Sequence, residues 1–145
     1  MQITDFIFDE VQEFSEGLAG VKIGEKWGYI DAKGETVIQL QFDYTWKFFE
    51  NISYVKVGNK YGFIDKEGTY IVNPIYDGAK SFSEGFAPVK VGDLWGYVDK
   101  NGTQIISPRY SHASSFSCGL SAIRENGKSG YVNKKGEMVI ESPYG

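Results

Sequence analysis

The residues best equipped for chemistry are the single histidine and the single cysteine, His112 and Cys118. A cysteine next to a histidine can act as a nucleophile, because the imidazole accepts the thiol proton. Unrelated residues occupy the positions 34 and 68 residues earlier, however: Gly78 and Tyr44 correspond to His112, and Glu84 corresponds to Cys118. Drift within a repeated unit produces such variation, so we predict that the chain is not an enzyme.

Metal binding has as little support in the sequence. One histidine and one cysteine cannot form a zinc site without added carboxylates. Asp31, Asp65 and Asp99 recur every 34 residues and could form a calcium ladder, but each stands three residues before a glycine. An aspartate at that place in a turn accepts backbone N–H groups. We therefore predict no metal and no cofactor.

The whole chain is built from four copies of one 34-residue unit. Aromatic-glycine pairs recur at this interval until a serine replaces the aromatic residue: Trp27-Gly28, Tyr61-Gly62, Trp95-Gly96 and Ser129-Gly130. We expect a single repeat domain over residues 1–145, with repeats of about 5–38, 39–72, 73–106 and 107–140. Residues 141–145 would start a fifth unit or form a C-terminal tail. A residue that recurs in every copy serves the fold rather than a unique active site.

The composition excludes several classes of function. The 145-residue chain has a net charge of −4, whereas nucleic-acid-binding proteins usually present a basic face. No apolar run approaches the roughly 18 residues that a membrane span requires. Cys118 has no second cysteine with which to form an internal disulfide. We therefore expect no nucleic acid partner, no membrane association and a cytoplasmic location.

Turn residues divide each unit into short segments. The pair Gly24-Glu25 suits a two-residue hairpin turn with positive φ, and the run from Asp31 to Gly34 has the residues of a type I turn. A 34-residue period is also that of a helical repeat, but three turn signals per unit leave no room for two helices. We predict a three-stranded antiparallel meander in each repeat, in the first at about residues 18–23, 26–31 and 35–39.

The connector between meanders carries a different pattern. Val11 and Phe14 stand at positions i and i+3, on one side of a single helical turn. Asp9 would be the N-cap of that turn, and Gly17 its left-handed exit. The phenylalanine recurs as Phe48, Phe82 and Phe116. The sequence thus predicts a short helical turn between meanders, held by one phenylalanine.

Both faces of each meander carry apolar residues, so neighbouring units must cover them. Pairing across the first turn places Val21 opposite Gly28 on one face of the meander, and Lys22 opposite Trp27 on the other. We expect an all-β, open, twisted solenoid-like array. The alternative is a closed propeller-like ring, in which a strand near Phe6 would complete the last unit beside Tyr144.

The recurrent residues of the four units resemble the WG repeat of bacterial proteins. The match consists of an aromatic-glycine pair followed by an aromatic residue, an aliphatic residue, an aspartate and a later glycine, as in Trp27-Gly28-Tyr29-Ile30-Asp31 with Gly34. It covers essentially the whole chain, although Ser129, Arg124 and Cys118 depart from it in the last unit. The resemblance implies an array of all-β repeats that mediates interactions, and it implies no catalytic residues.

One group of residues departs from the repeat in a way that suggests binding. Tyr44 stands where the other copies have Glu10, Gly78 and His112, and Trp46 stands where they have Gln12, Lys80 and Ser114. A position that is polar in three copies is expected to be exposed in the fourth, and exposed aromatic residues anchor protein interfaces. The alternative is that these rings pack on each other or on the neighbouring unit.

We therefore predict a non-enzymatic module for protein–protein interaction, with its partner-binding residues at Tyr44, Trp46, Tyr54 and Glu50. Acidic residues such as Glu10 and Glu13 would attract a basic partner. The alternative function is binding of a carbohydrate or cell wall through exposed Trp27, Trp46 and Trp95.

Overall fold

The protein is all-β. The computed structural model describes residues 8–141, so the strand expected near Phe6 and its neighbour Tyr144 lie outside the described residues. Within the described range the chain forms sixteen strands in four antiparallel sheets, one sheet for each repeat. No helix in this range is long and apolar enough to cross a membrane. The chain divides after Ile75 into two compact units.

The first unit contains the first two sheets except for the last residue, Tyr76, and in each sheet the strands lie in chain order. The first sheet consists of β1 (Glu10–Val11), β2 (Ala19–Ile23), β3 (Lys26–Ile30) and β4 (Thr36–Phe42). The second consists of β5 (Tyr44–Thr45), β6 (Ile52–Val57), β7 (Lys60–Asp65) and β8 (Tyr70–Tyr76).

The second unit repeats this arrangement. The third sheet consists of β9 (Gly78–Ala79), β10 (Phe86–Val91), β11 (Leu94–Asp99) and β12 (Gln104–Tyr110). The fourth consists of β13 (His112–Ala113), β14 (Leu120–Glu125), β15 (Lys128–Asn133) and β16 (Met138–Glu141).

The predicted turns and the predicted register are confirmed. Val21 pairs with Gly28 and Lys22 with Trp27 across the β2–β3 hairpin, and Gly24 has a φ of 65° as the primed turn requires. The Asp31 carboxylate accepts hydrogen bonds from the backbone N–H groups of two residues that follow it, Lys33 and Glu35, at 2.9 and 3.0 Å. Asp31 is thus a turn residue, as its spacing from Gly34 indicated.

The prediction of three strands and a helical turn in each repeat is wrong. Glu10 and Val11 form a short fourth strand, which pairs with Lys22 and Val21 of β2. The chain then returns to β2 through a tight turn in which the backbone groups of Ser15 and Leu18 exchange two hydrogen bonds. The i, i+3 spacing was misleading because a two-residue strand is too short to show an alternating pattern.

The N-cap that we assigned to Asp9 is also wrong. Its carboxylate accepts a hydrogen bond of 2.6 Å from the backbone N–H of Gly24, in the β2–β3 turn. Asp43 and Asp77 make the same contact with Gly58 and Gly92 in the next two repeats. The recurrent aspartate therefore ties the short first strand to the neighbouring hairpin turn.

A cluster of buried side chains lies between the two sheets of the first unit. Tyr29 and Phe42 from the first sheet pack with Val55 and Ile64 from the second, together with Phe48 from the connector. The second unit has a matching cluster that includes Tyr97, Tyr110, Phe116, Ile123 and Val132. In each unit the apolar face of one sheet is thus covered by the next repeat, as the two-faced sequence pattern indicated.

Candidate functional site

Tyr44 and Trp46 come together as a stacked pair, with ring centroids 6.2 Å apart and planes inclined by 19°. Both side chains are half-buried. Tyr44 also meets the edge of Trp27 from the first sheet, at 5.8 Å between ring centroids. Burial raises the pKa of the Tyr44 hydroxyl, and the nearby Tyr61 and Glu10 add to the rise. The two rings therefore pack on each other, and Tyr44 packs on the neighbouring unit, which is the alternative to the exposed pair that the sequence led us to expect.

Tyr54 extends this aromatic group along β6. Its ring meets Tyr61 of β7 at 5.9 Å and 62°, and the ammonium group of Lys56 lies 5.8 Å from the Tyr61 centroid. Tyr54 is half-buried, and desolvation raises the pKa of its hydroxyl. We refer to Trp27, Tyr44, Trp46, Tyr54 and Tyr61 as the aromatic cluster.

The backbone of Trp46 is held from the first sheet. The buried Tyr29 hydroxyl donates a hydrogen bond of 2.6 Å to the Trp46 carbonyl oxygen, and the Ser53 hydroxyl donates to the same oxygen at 3.0 Å. Because Tyr29 belongs to the first repeat and Trp46 to the second, this contact fixes the aromatic cluster against both sheets of the first unit. The second unit repeats the bond from Tyr97 to the Ser114 carbonyl at 2.9 Å.

The buried tyrosines Tyr29 and Tyr97 make the protein sensitive to alkali. Burial raises the pKa of each hydroxyl from 10.0 to about 12. The unfolded chain therefore releases these protons first, so their stabilising effect is complete below pH 10 and is lost as pH rises from 10 to 12. We expect the free energy of unfolding to fall in this window by about 1.4 kcal/mol per pH unit for each tyrosine.

Chemical denaturation at a series of pH values between 10 and 12, alongside tyrosinate absorbance, would measure this loss. The Tyr97→Phe variant should show a shallower fall than the native chain, because the raised pKa of Tyr97 no longer contributes to it. A free energy of unfolding that stays constant through the window would contradict the expectation.

Glu50 occupies a position whose equivalents have structural roles. The Glu16 carboxylate accepts a hydrogen bond of 2.9 Å from the backbone N–H of Asn51. The Glu84 carboxylate accepts two, from the N–H groups of Cys118 and Gly119 at 2.7 and 2.8 Å. Glu50 is half-buried, and its φ of 53° is the same as that of Glu16 and close to the 54° of Glu84. Its assignment to the partner-binding surface remains a prediction.

The charged residues beside the aromatic cluster occur in pairs. Lys47 lies 5.4 Å from the ring centroid of Trp46 and 3.4 Å from the Glu13 carboxylate. Glu10 accepts a bond of 3.1 Å from the ammonium group of Lys22. These ion pairs are exposed to solvent, and the paired charges offset each other, so the long-range attraction that Glu10 and Glu13 can exert on a basic partner is small.

Within residues 8–141, no hydrogen bond joins His112 to Cys118, as a cysteine–histidine nucleophile pair would require. Both residues are exposed, and Cys118 lies in a left-handed turn where its backbone N–H is bound by Glu84. Among residues 8–141, no group of three or more histidine, cysteine, aspartate or glutamate side chains is arranged to hold a metal ion.

Sequence comparison between repeats missed two members of the aromatic cluster. Trp27 and Tyr61 are in step with each other, and our prediction of the protein-binding residues left both of them out. Trp27 is 5% exposed and supports Tyr44, while Tyr61 supports Tyr54. The signal that could have revealed them is the pairing of Lys56 with Tyr61 in register, which places their side chains on the same face as Tyr54.

Four similar antiparallel sheets in tandem, with equivalent turns and equivalent contacts between successive repeats within each unit, define an all-β repeat protein. The family model of the WG containing repeat matches this chain four times in succession, over residues 2–27, 27–61, 61–95 and 95–128. The chain belongs to this family, as the sequence resemblance indicated. None of the curated proteins matches it.

A solved structure with a similar fold is distant in sequence. The chain is similar to "KlHsv2 with loop 6CD replaced by a Gly-Ser linker", with a TM-score of 0.55 and 11% identity over 89% of this chain and 51% of that one. It therefore spans about half the length of that protein. At this identity the likeness concerns the fold alone.

Two seed proteins from Cicer arietinum align with this chain over more of their length, but their structural similarity to it is lower. They are a plant lectin with two metal binding sites and a plant albumin showing hemagglutination. The lectin has a TM-score of 0.33 at 11% identity and covers 96% of this chain and 94% of its own. The albumin has a TM-score of 0.34 at 12% identity and covers 95% and 92%. Both are too dissimilar in geometry to inform the function.

Proposed function

We propose that this protein is a non-enzymatic module that binds a protein partner through its aromatic cluster. The observation that carries the proposal is the stacked, half-buried pair of Tyr44 and Trp46. Neither ring occurs at the equivalent positions of the other repeats, so the fold does not require them. Aromatic side chains held in place before binding lose little conformational entropy when a partner covers them.

The surroundings of the pair support this role. Tyr44 packs against Trp27, and the ammonium group of Lys47 lies over the Trp46 ring. Tyr54 and Tyr61 continue the apolar surface. Interface hot spots are typically such aromatic anchors within a close-packed surround. With the nearby acidic groups paired to lysines, binding would depend on aromatic area more than on net charge.

A carbohydrate ligand has less support. That alternative requires the tryptophans Trp27, Trp46 and Trp95 to be accessible, but Trp27 is 5% exposed. Trp95 is half-buried and lies against Lys80 and Lys90, at 4.9 and 6.0 Å from its ring centroid. A row of exposed in-step rings, which a polysaccharide would need, is therefore not complete.

Exchanging residues between repeats tests the proposal with little risk to the fold. Trp46→Gln introduces the residue that the first repeat carries at this position, and Tyr44→Glu does the same. We expect the double variant to keep its fold and to raise the Kd for a protein partner at least tenfold, because hot-spot truncation costs about 2 kcal/mol or more.

The partner would first be captured by the native chain from cells of the source organism and identified by mass spectrometry. Its affinity would then be measured with purified protein by surface plasmon resonance. Phe14→Ala is the matched control, since Phe14 is an exposed aromatic residue outside the cluster. An unchanged Kd for the double variant, with its fold intact, would remove the aromatic cluster from the interface.

A further inference from the structure

The fourth repeat contains a cavity that is lined by none of the residues of the aromatic cluster. Its volume is about 320 Å³, and its lining includes His112, Ala122, Arg124, Ser129, Tyr131 and Ile140. Ligand pockets usually have volumes of about 300–1,000 Å³. The volume of this cavity is therefore at the lower end of the range and suits a small molecule with a single ring or two fused rings.

The cavity occupies the place where the other repeats have aromatic side chains. Ser129 corresponds to Trp27, Tyr61 and Trp95, each the aromatic residue before the in-step glycine. Ala122 corresponds to Tyr54 of the second repeat. Small residues at both positions leave a space in the fourth repeat. In the second sheet the equivalent place is filled by the rings of Tyr54 and Tyr61, which meet there. The cavity is thus the volume of missing rings.

The cation that accompanies the ring is retained. Lys56 lies 5.8 Å from the centroid of Tyr61, and Lys90 lies 6.0 Å from that of Trp95, each across a strand pair from its ring. In the fourth repeat Arg124 pairs with Ser129 in the same register. Its guanidinium turns to the Ser129 hydroxyl at 3.1 Å, so a cation faces the space that a ring would fill.

Two of the apolar side chains that line this cavity are not covered by the described part of the chain, residues 8–141. Tyr131 is 44% exposed and Ile140 is 50% exposed. Their equivalents in the third repeat, Tyr97 and Ile106, are both buried. A molecule entering the cavity would therefore cover apolar surface that is part of the core elsewhere in the protein.

Arg124 is available to bind an anion. The neighbouring Arg109 is bound to Glu125 at 2.7 Å, and Lys128 lies 3.7 Å from Glu141. In residues 8–141, Arg124 has no carboxylate partner of its own. A guanidinium group matches the geometry of a carboxylate, which can accept two parallel hydrogen bonds from it.

We infer that this cavity is a binding site for a small aromatic carboxylate. The ring occupies the place of the missing aromatic side chain, beside Tyr131 and Ile140 and next to Arg124. The carboxylate binds the guanidinium of Arg124, which exchanges its contact with the Ser129 hydroxyl for the stronger charged one. The site lies in the second unit and does not depend on the protein-binding role proposed for the aromatic cluster.

The test uses the full chain with indole-3-propionate as the probe and neutral indole for comparison. Binding would be measured by calorimetry and by amide shifts in a heteronuclear NMR titration. We expect indole-3-propionate to shift the amide signals of Ala122, Arg124 and Gly130. Indole should bind at the same place at least tenfold more weakly, because it forms no charged hydrogen bond.

Three variants separate the parts of the site. Ser129→Trp restores the side chain of the first and third repeats, so it should fill the cavity and abolish binding, whereas Ser129→Ala should bind within about threefold of the native chain. Arg124→Gln should weaken indole-3-propionate at least tenfold and leave indole unchanged. If Ser129→Trp fails to fold, Ser129→Tyr, which copies the second repeat, takes its place.

The inference would be overturned if neither probe shifted the cavity amides, or if the ring-filling variant bound as well as the native chain. Equal binding of N-acetyltryptophanamide and indole-3-propionate would also contradict it, because the site would then take an uncharged peptide side chain.

Discussion

Replacing Phe48 with alanine is expected to lower the free energy of unfolding by about 3–5 kcal/mol. Phe48 is 0% exposed and lies in the buried cluster between the two sheets of the first unit. Its ring meets Tyr29 at 4.9 Å and 65°, and its carbonyl accepts a bond of 2.7 Å from the Ser15 hydroxyl. Removing the ring leaves a cavity at the place where the first repeat joins the second.

Phe14 provides the matched control, because it occupies the same position in the first repeat that Phe48 occupies in the second, but in a different environment. Phe14 is 47% exposed, so its replacement by alanine should change the free energy of unfolding by about 0.5 kcal/mol or less. Urea denaturation monitored by tryptophan fluorescence would measure both variants. Equal losses of stability at the two positions would refute the role assigned to Phe48.

Replacing Gly28 with alanine should cost about 3 kcal/mol, at the upper end of what overpacking usually costs. The added Cβ would lie 2.5 Å from the Ile38 carbonyl oxygen and 2.8 Å from the Leu40 nitrogen. These are backbone atoms of β4, which bulges against β3 at this point. No rotamer change can relieve the contact, so the two strands must separate.

Gly24→Ala distinguishes this steric requirement from a conformational one. Gly24 has a φ of 65° but no atom within 4 Å of an added Cβ. Its replacement should therefore cost only about 1–2 kcal/mol, for the left-handed backbone. Thermal unfolding of both variants would give the comparison, and a smaller loss at Gly28 than at Gly24 would show that the bulge adapts to a side chain.

Local chemistry made much of the fold predictable. The hairpin at Gly24 and the turn at Asp31 depend on residues that are adjacent in the chain, so their conformations could be inferred directly. The pairing of Val21 with Gly28 then follows from the length of the turn. The two-residue strand at Glu10 and Val11 was missed, because its stability comes from pairing with β2 and from the bond between Asp9 and Gly24.

Comparison between repeats located the candidate site only in part. Tyr44 and Trp46 differ from their equivalents, and that difference identified them. Their half-buried state could not be inferred, because it depends on Trp27 from the preceding sheet. The cavity beside Arg124 was also missed, because Ser129 was noted only as a departure from the repeat in the last unit, and the sequence does not show which space a missing ring leaves.

The sequence by itself determined the family, the all-β class, the turns and the division into four repeats, since these follow from residue types at fixed intervals. Only the tertiary structure decided which of the equivalent residues in the four repeats are buried. Phe14 and Phe48 are identical in type and in step, yet one is exposed and the other lies in the core. The physical reason is that burial depends on what packs against a residue, and Phe48 lies against Tyr29 of the preceding repeat.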